Sequence, residues 1–357
     1  MTKVVFAAGG TGGHIIPALS IAAEFQNAGD KLLFIGNKGG LEETLVKAKG
    51  INFEGIKVQK LYRKLTIKHL IFPFIFLFAL LKAGYIIKKF KADVVIGTGG
   101  FVSGPVCLAG FLMKIPIFIQ EQNSYPGFTS RVLGKIAKKV FLGNGLATKY
   151  FSKNKYVISG NPINNSLFNN TEKIDWNKIN FRKETAKLFI FGGSQGSLKI
   201  NKMVLEIVDT LLAADIEIIW QTGEYSYEMV KTQTERKQGI YCFAFTDAMG
   251  KIYNSVDFAV CRAGALTIAE LQEKQVPAIL IPLPSAAENH QYYNALAMKE
   301  EGTGIIINQN EITTDKFKRA IFYLKENYKK MKQNFKQYAH RKAGKIIYNE
   351  IKAFLKQ

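Results

Sequence analysis

Two glycine-rich segments of this chain share one chemical design. Gly9-Gly10-Thr11-Gly12-Gly13-His14 follows the apolar run Lys3–Ala8 and precedes a helical pattern containing Pro17. Glycines admit positive φ and let backbone amides approach an anion, while a helix N-terminus adds favourable partial charge. The spacing therefore predicts a pyrophosphate-type loop. It lacks the Gly-Lys-Ser/Thr ending of a Walker loop and fills the dinucleotide G-x-G-x-x-G spacing differently. A tight turn with a purely structural role would use the same residues. Gly192-Gly193-Ser194-Gln195-Gly196-Ser197 repeats the arrangement after Leu188–Phe191 and adds the Ser194 hydroxyl as a phosphate donor.

A third segment, Cys261-Arg262-Ala263-Gly264-Ala265-Leu266-Thr267-Ile268-Ala269-Glu270, passes from a strand into a helix at its glycine. Thr267 and Glu270 lie three apart on one helix face. A hydroxyl there can meet phosphate while the carboxylate accepts from a ribose diol, although a capping-box arrangement would place the same residues. Two roles are open to His14: a general base near neutral pH, or a helix-start side chain that only hydrogen-bonds the loop. Glu121-Gln122-Asn123 and Glu288-Asn289-His290-Gln291 put amides and carboxylates where sugar hydroxyls could be read, or form ordinary polar loops.

These loops need rigid elements behind them. Val4–Ala8, Leu32–Ile35, Val94–Gly97, Pro116–Gln120, Val140–Leu142 and Tyr156–Ser159 are apolar or β-branched and alternate with helical patterns. Leu188–Phe191, Ile216–Trp220, Tyr241–Phe245, Phe258–Cys261, Ala278–Pro282 and Ile305–Ile307 form a second such series. Alternation of this kind predicts an α/β fold of two doubly wound parallel-sheet domains. Gly160-Asn161-Pro162 and the polar stretch to Lys187 separate the series, giving domains 1–160 and 161–335. Ligands of open α/β sheets bind outside the carboxyl ends of strands, so the two loop-bearing edges are expected to face a cleft.

Lys plus Arg number 49 against 28 acids, a net charge of +21, which calls for an anionic partner. Residues 1–160 carry 22 basic and 7 acidic side chains, so +15 of that excess lies in the first half. Cys107, Cys242 and Cys261 are far apart within apolar patterns, which fits reduced core thiols. The start at Met1 shows no signal-peptide pattern. Between Lys57 and Lys91 there are nine basic residues, no acid and the apolar run 70–81. Twelve apolar residues are too few to cross a core of ~30 Å, so the segment is expected to lie in a membrane interface, with Phe72, Phe74, Phe76, Phe78, Lys82, Lys88 and Lys89 as contacts. The alternative is a buried helix whose lysines face water.

Taken in order, GGTGGHIIPALSIA (9–22), IGTGGFVSGP (96–105), QEQNSYPG (120–127), SGNP (159–162), FGGSQGS (191–197), CRAGALTIAE (261–270) and NHQYYNA (289–295) closely resemble the MurG family, the N-acetylglucosaminyltransferases of peptidoglycan synthesis. The resemblance covers nearly the whole chain. It implies a GT-B fold of two Rossmann-like domains, with a final helix at about 336–357 crossing back onto the first. It also implies inverting transfer of GlcNAc from UDP-GlcNAc to the 4-hydroxyl of undecaprenyl-pyrophosphoryl-MurNAc-pentapeptide, with no bound cofactor or essential metal, at the cytoplasmic face of the bacterial plasma membrane.

Carried over by position, Thr11, Gly12 and Gly13 serve the donor sugar or the acceptor pyrophosphate, and His14 is the proposed base. Asn123 and Gln291 read the donor sugar. Ser194 and the run Ala265, Leu266, Thr267, Ile268, Ala269 and Glu270 hold diphosphate and ribose. Two positions depart from the family pattern. Asn164 stands where an arginine is usual near the nucleotide, and Thr246 stands where isoleucine is common at the uracil-facing loop. A UDP-GlcNAc 2-epimerase shares the architecture but has no lipid acceptor to account for segment 57–91. A nicotinamide oxidoreductase is disfavoured by the loop spacing. A nucleic-acid binder would explain the charge but not three phosphate-type loops.

Overall fold

The computed structural model describes residues 1–59, 68–164, 166–169 and 171–356. Lys60, Arg63 and Lys64 of the expected membrane segment lie outside the described residues. The chain forms two compact units, Met1–Asn164 with Ala339–Gln357, and Asn165–Tyr338.

In the first unit seven parallel strands, β1 (Lys3–Ala8), β2 (Lys31–Asn37), β3 (Asn52–Ile56), β4 (Val94–Gly99), β5 (Ile117–Glu121), β6 (Lys139–Leu142) and β7 (Tyr156–Ile158), run in the order 3-2-1-4-5-6-7. Both faces are covered, so the central strands are apolar throughout rather than alternating. Val5 and Ala7 of β1 face one core with Ile86, Val102 and Val106, while Val4 and Phe6 face another with Phe25, Ile347 and Ile351. The second unit has six parallel strands, β8 (Ala186–Phe191), β9 (Ile216–Gln221), β10 (Ile240–Phe243), β11 (Phe258–Cys261), β12 (Ala278–Leu280) and β13 (Gly304–Ile306), in the order 10-9-8-11-12-13. Strand order reverses at β1/β4 and at β8/β11, the switch points where such sheets open to ligands.

Three expectations change. Strand β3, sequence NFEGI, was not expected; its Glu54 and Gly55 break the apolar run, which an edge strand tolerates because one side of its ladder is unpaired. The apolar run 70–81 is the front of a 23-residue helix, Lys68–Phe90. At ~1.5 Å per residue this is long enough to cross a bilayer, so the length argument fails. Instead its Ala79, Ala83, Ile86 and Ile87 are buried against the sheet, which holds it on the unit. The final helix is Ala343–Leu355, shorter than 336–357, preceded by a 3-10 turn at His340–Lys342. It packs on helix Gly12–Asn27 through Tyr348 against Phe25, with ring centroids 4.8 Å apart, and reaches Phe118 through Phe354. Lys352 Nζ donates to Asp30 and to Thr2 Oγ1, fastening this helix to β1 and β2.

Candidate functional site

In the first unit the loop after β1 and the loop after β4 interlock. Gly100 has φ +77°, and a Cβ there would fall 2.1 Å from the Gly9 carbonyl oxygen. Of the glycines in the first loop only Gly10, at φ +95°, occupies the left-handed region. Gly12 and Gly13 open the helix Gly12–Asn27 with ordinary backbone, so what they contribute is uncovered space before a helix N-terminus. Thr11 is the N-cap, exposed, without a side-chain capping bond.

His14, in the first turn, is half-buried. Thr98 Oγ1 donates to its carbonyl at 2.8 Å, and its Nδ1 lies 3.2 Å from Gln122 Oε1. Its ring lies against Gly99, where a Cβ would come 2.6 Å from Nδ1. Glu121 is buried, and its carboxylate accepts from the Asn123 backbone and side chain and from the Gly127 amide, so it shapes the loop that presents Asn123. Asn164 is exposed at the end of this unit.

In the second unit the loop Gly192–Ser197 packs against the end of β9. A Cβ on Gly196 would lie 2.0 Å from the Thr222 carbonyl oxygen, and one on Gly223 would lie 2.3 Å from that of Gln195. Gln221 Nε2 donates to the Gly193 carbonyl at 3.2 Å. Ser197 caps the next helix by accepting from the Ile200 amide, and Ser194 stands exposed at the loop tip. Beneath them Arg262, from the end of β11, donates to Ser197 Oγ at 2.8 Å, to Gln309 Oε1 at 2.6 Å and to the Ile281 carbonyl. Burial lowers its pKa from the ordinary arginine value. This guanidinium ties the phosphate-type loop to the end of β12 and to the turn after β13. Within the motif 261–270 the spacing alone assigns Arg262 no role.

Helix Ala265–Lys274 starts after Gly264, with Leu266 and Thr267 half-buried in its first turn. Ile268 and Ala269 point into the core, and the Ile268 amide donates to the Gly264 carbonyl. Glu270 Oε2 accepts from the Tyr253 hydroxyl at 2.9 Å. Burial pushes the Glu270 pKa up to about 7, against the opposing pull of that hydrogen bond. Gln291 Oε1 accepts from the Leu283 amide, which fixes the loop ahead of helix His290–Glu300. Thr246 Oγ1 accepts from the Ala248 amide, closing a side-chain turn in the loop after β10.

On helix Lys68–Phe90, Phe74 and Phe78 are 64% and 71% exposed, and Ile71, Leu77, Leu81 and Tyr85 join them on the surface. Phe72 and Phe76 are half-buried and pack on each other at 6.0 Å. Lys82 donates to the Gly55 carbonyl, whereas Lys88 and Lys89 are exposed in the last turn.

The chain matches the glycosyltransferase family 28 N-terminal domain over residues 4–142 and the family 28 C-terminal domain over residues 187–349. A Flavobacterium psychrophilum protein named UDP-N-acetylglucosamine–N-acetylmuramyl-(pentapeptide) pyrophosphoryl-undecaprenol N-acetylglucosamine transferase is 36% identical over 358 residues, covering 98% of this chain and 96% of that protein. The crystal structure of Acinetobacter baumannii MurG superposes with a TM-score of 0.82 at 28% identity, covering 99% of this chain and all of that one. A putative UDP-N-acetylglucosamine 2-epimerase from Listeria monocytogenes covers 99% of this chain at TM-score 0.71 but 14% identity, a likeness of fold alone. Two Rossmann-like units of the GT-B class, the family 28 domain pair and full-length identity of this order lead to one conclusion: the chain belongs to the MurG family of N-acetylglucosaminyltransferases.

Proposed function

We propose that this chain transfers N-acetylglucosamine, with inversion, from UDP-N-acetylglucosamine to the 4-hydroxyl of the muramyl sugar of undecaprenyl-pyrophosphoryl-MurNAc-pentapeptide. The observation that supports this reading is that one switch-point loop bears a histidine and the other is backed by a half-buried guanidinium. On the donor side, the Gly192–Ser197 loop with Ser194, and the first-turn amides of Leu266 and Thr267, hold the diphosphate. Arg262 adds positive charge behind them. Glu270 accepts from the ribose through the carboxylate oxygen that Tyr253 does not use. Gln291 and Asn123 read the GlcNAc hydroxyls, and the Thr246 turn borders the uracil.

On the acceptor side, Thr11, Gly12 and Gly13 receive the pyrophosphate at the helix N-terminus. His14 removes the proton from the attacking hydroxyl as the anomeric C–O bond to UDP breaks, while the donor-side amides stabilise the departing diphosphate. The exposed apolar side of helix Lys68–Phe90, with Lys88 and Lys89, rests on the anionic cytoplasmic leaflet where such an acceptor resides.

Incubation with radiolabelled UDP-GlcNAc and the lipid-linked acceptor tests the reaction. Label is expected in the lipid fraction; label in ManNAc or UDP-ManNAc would point to epimerase chemistry. His14→Ala should lower turnover by at least ~100-fold with donor binding nearly intact. Near-normal turnover would remove His14 from the base role.

A further inference from the structure

Behind His14 runs a buried chain of amides whose polarity is fixed from outside. Gln122 Nε2 lies 2.6 Å from the Thr98 carbonyl oxygen, which can only accept. The amide nitrogen of Gln122 must therefore point there, and Oε1 must point at His14 Nδ1, 3.2 Å away. The second N–H of Gln122 goes to Gln120 Oε1 at 2.5 Å. Gln120 Nε2 in turn donates to Asn161 Oδ1 at 3.3 Å, and Asn161 Nδ2 donates to the Gln122 carbonyl at 3.1 Å. A second obligate acceptor thus closes the chain with the same polarity. Gln120, Gln122 and Asn161 are all at least 96% buried, so water does not compete to reorient them.

An amide oxygen cannot donate. For the His14 contact to be a hydrogen bond, the imidazole must supply the proton from Nδ1. We propose that Gln122 is a positioning residue that holds His14 in the Nδ1–H tautomer, leaving the Nε2 lone pair as the atom that takes the proton from the acceptor hydroxyl. The two sides of Gln122 then do different work: its NH2 group anchors to the sheet and its oxygen selects the tautomer. Without that oxygen a neutral imidazole in water divides between two tautomers, and only one has its lone pair on Nε2. The far end of the chain supplies a contrast. The Asn161 backbone N–H donates to His340 Nδ1 at 2.8 Å, so His340, when neutral, carries its proton on Nε2. The same network therefore holds one histidine in each tautomer.

This inference rests on the reading of His14 as the base, but its test is separate. The chain has four histidines, so the full-length protein labelled with 15N-histidine gives a long-range 1H–15N spectrum simple enough to read each ring. A His14→Gln variant identifies the His14 signals, and a His340→Gln variant identifies those of His340. The expected result is protonated Nδ1 and bare Nε2 for His14, with the reverse for His340. A His14 ring protonated on Nε2 in the neutral wild-type protein overturns the proposal, whatever any variant does.

Gln122→Met keeps the length and removes the acceptor. It should shift His14 toward a mixture of tautomers and lower kcat by at least ~10-fold, with KM for the donor changed less than ~2-fold. Gln122→Met with wild-type tautomer and wild-type kcat would also overturn it. Should His14→Ala retain turnover, the base reading falls while the tautomer measurement stands on its own.

Discussion

The Tyr253 hydroxyl and the Glu270 carboxylate form a 2.9 Å hydrogen bond on the second unit, in which the only tyrosine of helix Met249–Tyr253 holds the acid of helix Ala265–Lys274. Burial raises the Glu270 pKa from 4.5 to about 7. An acid whose folded-state pKa is raised favours the proton-bound fold, so this contribution is complete below about pH 4.5 and is lost as pH climbs through about 7. The melting temperature of the ligand-free protein should fall across that window, by a term on the order of 3 kcal/mol, and Glu270→Gln should flatten the fall. Binding of UDP, measured by titration calorimetry, should strengthen over the same interval as the carboxylate becomes the ionised acceptor a ribose diol needs.

The two glycines of the donor loop should answer differently to alanine. Gly196 has φ +75° and no room, since its Cβ would meet the Thr222 carbonyl oxygen at 2.0 Å. Gly193 has φ +91° but nothing within 4 Å of an added Cβ. Gly193→Ala should cost only the left-handed backbone strain, ~1 kcal/mol, whereas Gly196→Ala must also part the loop from β9 and should weaken UDP binding at least ~10-fold. Equal effects in calorimetry would mean that the interlock with Thr222 is not what shapes the site.

Asn164→Arg supplies the charge that the resemblance implies after the Gly-Asn-Pro turn. A guanidinium on a phosphate gains charge-assisted bonds, so UDP affinity should rise by ~10-fold. An unchanged affinity would mean that Arg262 already meets that need.

Phe74→Glu combined with Phe78→Glu should reduce binding to vesicles rich in anionic lipid by at least ~10-fold without lowering the melting temperature, because both rings are exposed. Phe76→Glu should destabilise the fold instead, since that ring is half-buried against Phe72. Vesicle sedimentation and thermal denaturation separate the two, and full sedimentation of the double variant would refute the docking face.

Central strands and loop motifs were legible in the sequence because their signals are local: short apolar runs, several of them ending in glycine. Strand β3 was not, because Glu54 and Gly55 carry the composition of a turn and only the pairing with β2 makes them a strand. The run 70–81 read as short because Lys82 marks its end in polarity but not in backbone conformation; Lys82 bonds the Gly55 carbonyl and the helix continues. Glycine admits positive φ, and Gly10, Gly193 and Gly196 use it, yet Gly12 and Gly13 are helical and serve by what they leave uncovered. Arg262, and Gln122 as a partner of His14, carry no such local signal because they act through bonds to distant segments: Gln309 for the first, Thr98 and His14 for the second. Spacing along the chain holds no record of such bonds.

The helix Ala343–Leu355 lends Ile347, Ile351 and Tyr348 to the core that β1 begins. On the ribosome those residues are made only after all of 165–338, the whole of the second unit, has been synthesised. The usual order, in which the N-terminal domain folds first, is therefore reversed at the last step. The unit translated first must wait, with Phe25 and the outer face of helix Gly12–Asn27 uncovered, until the second unit has had time to fold.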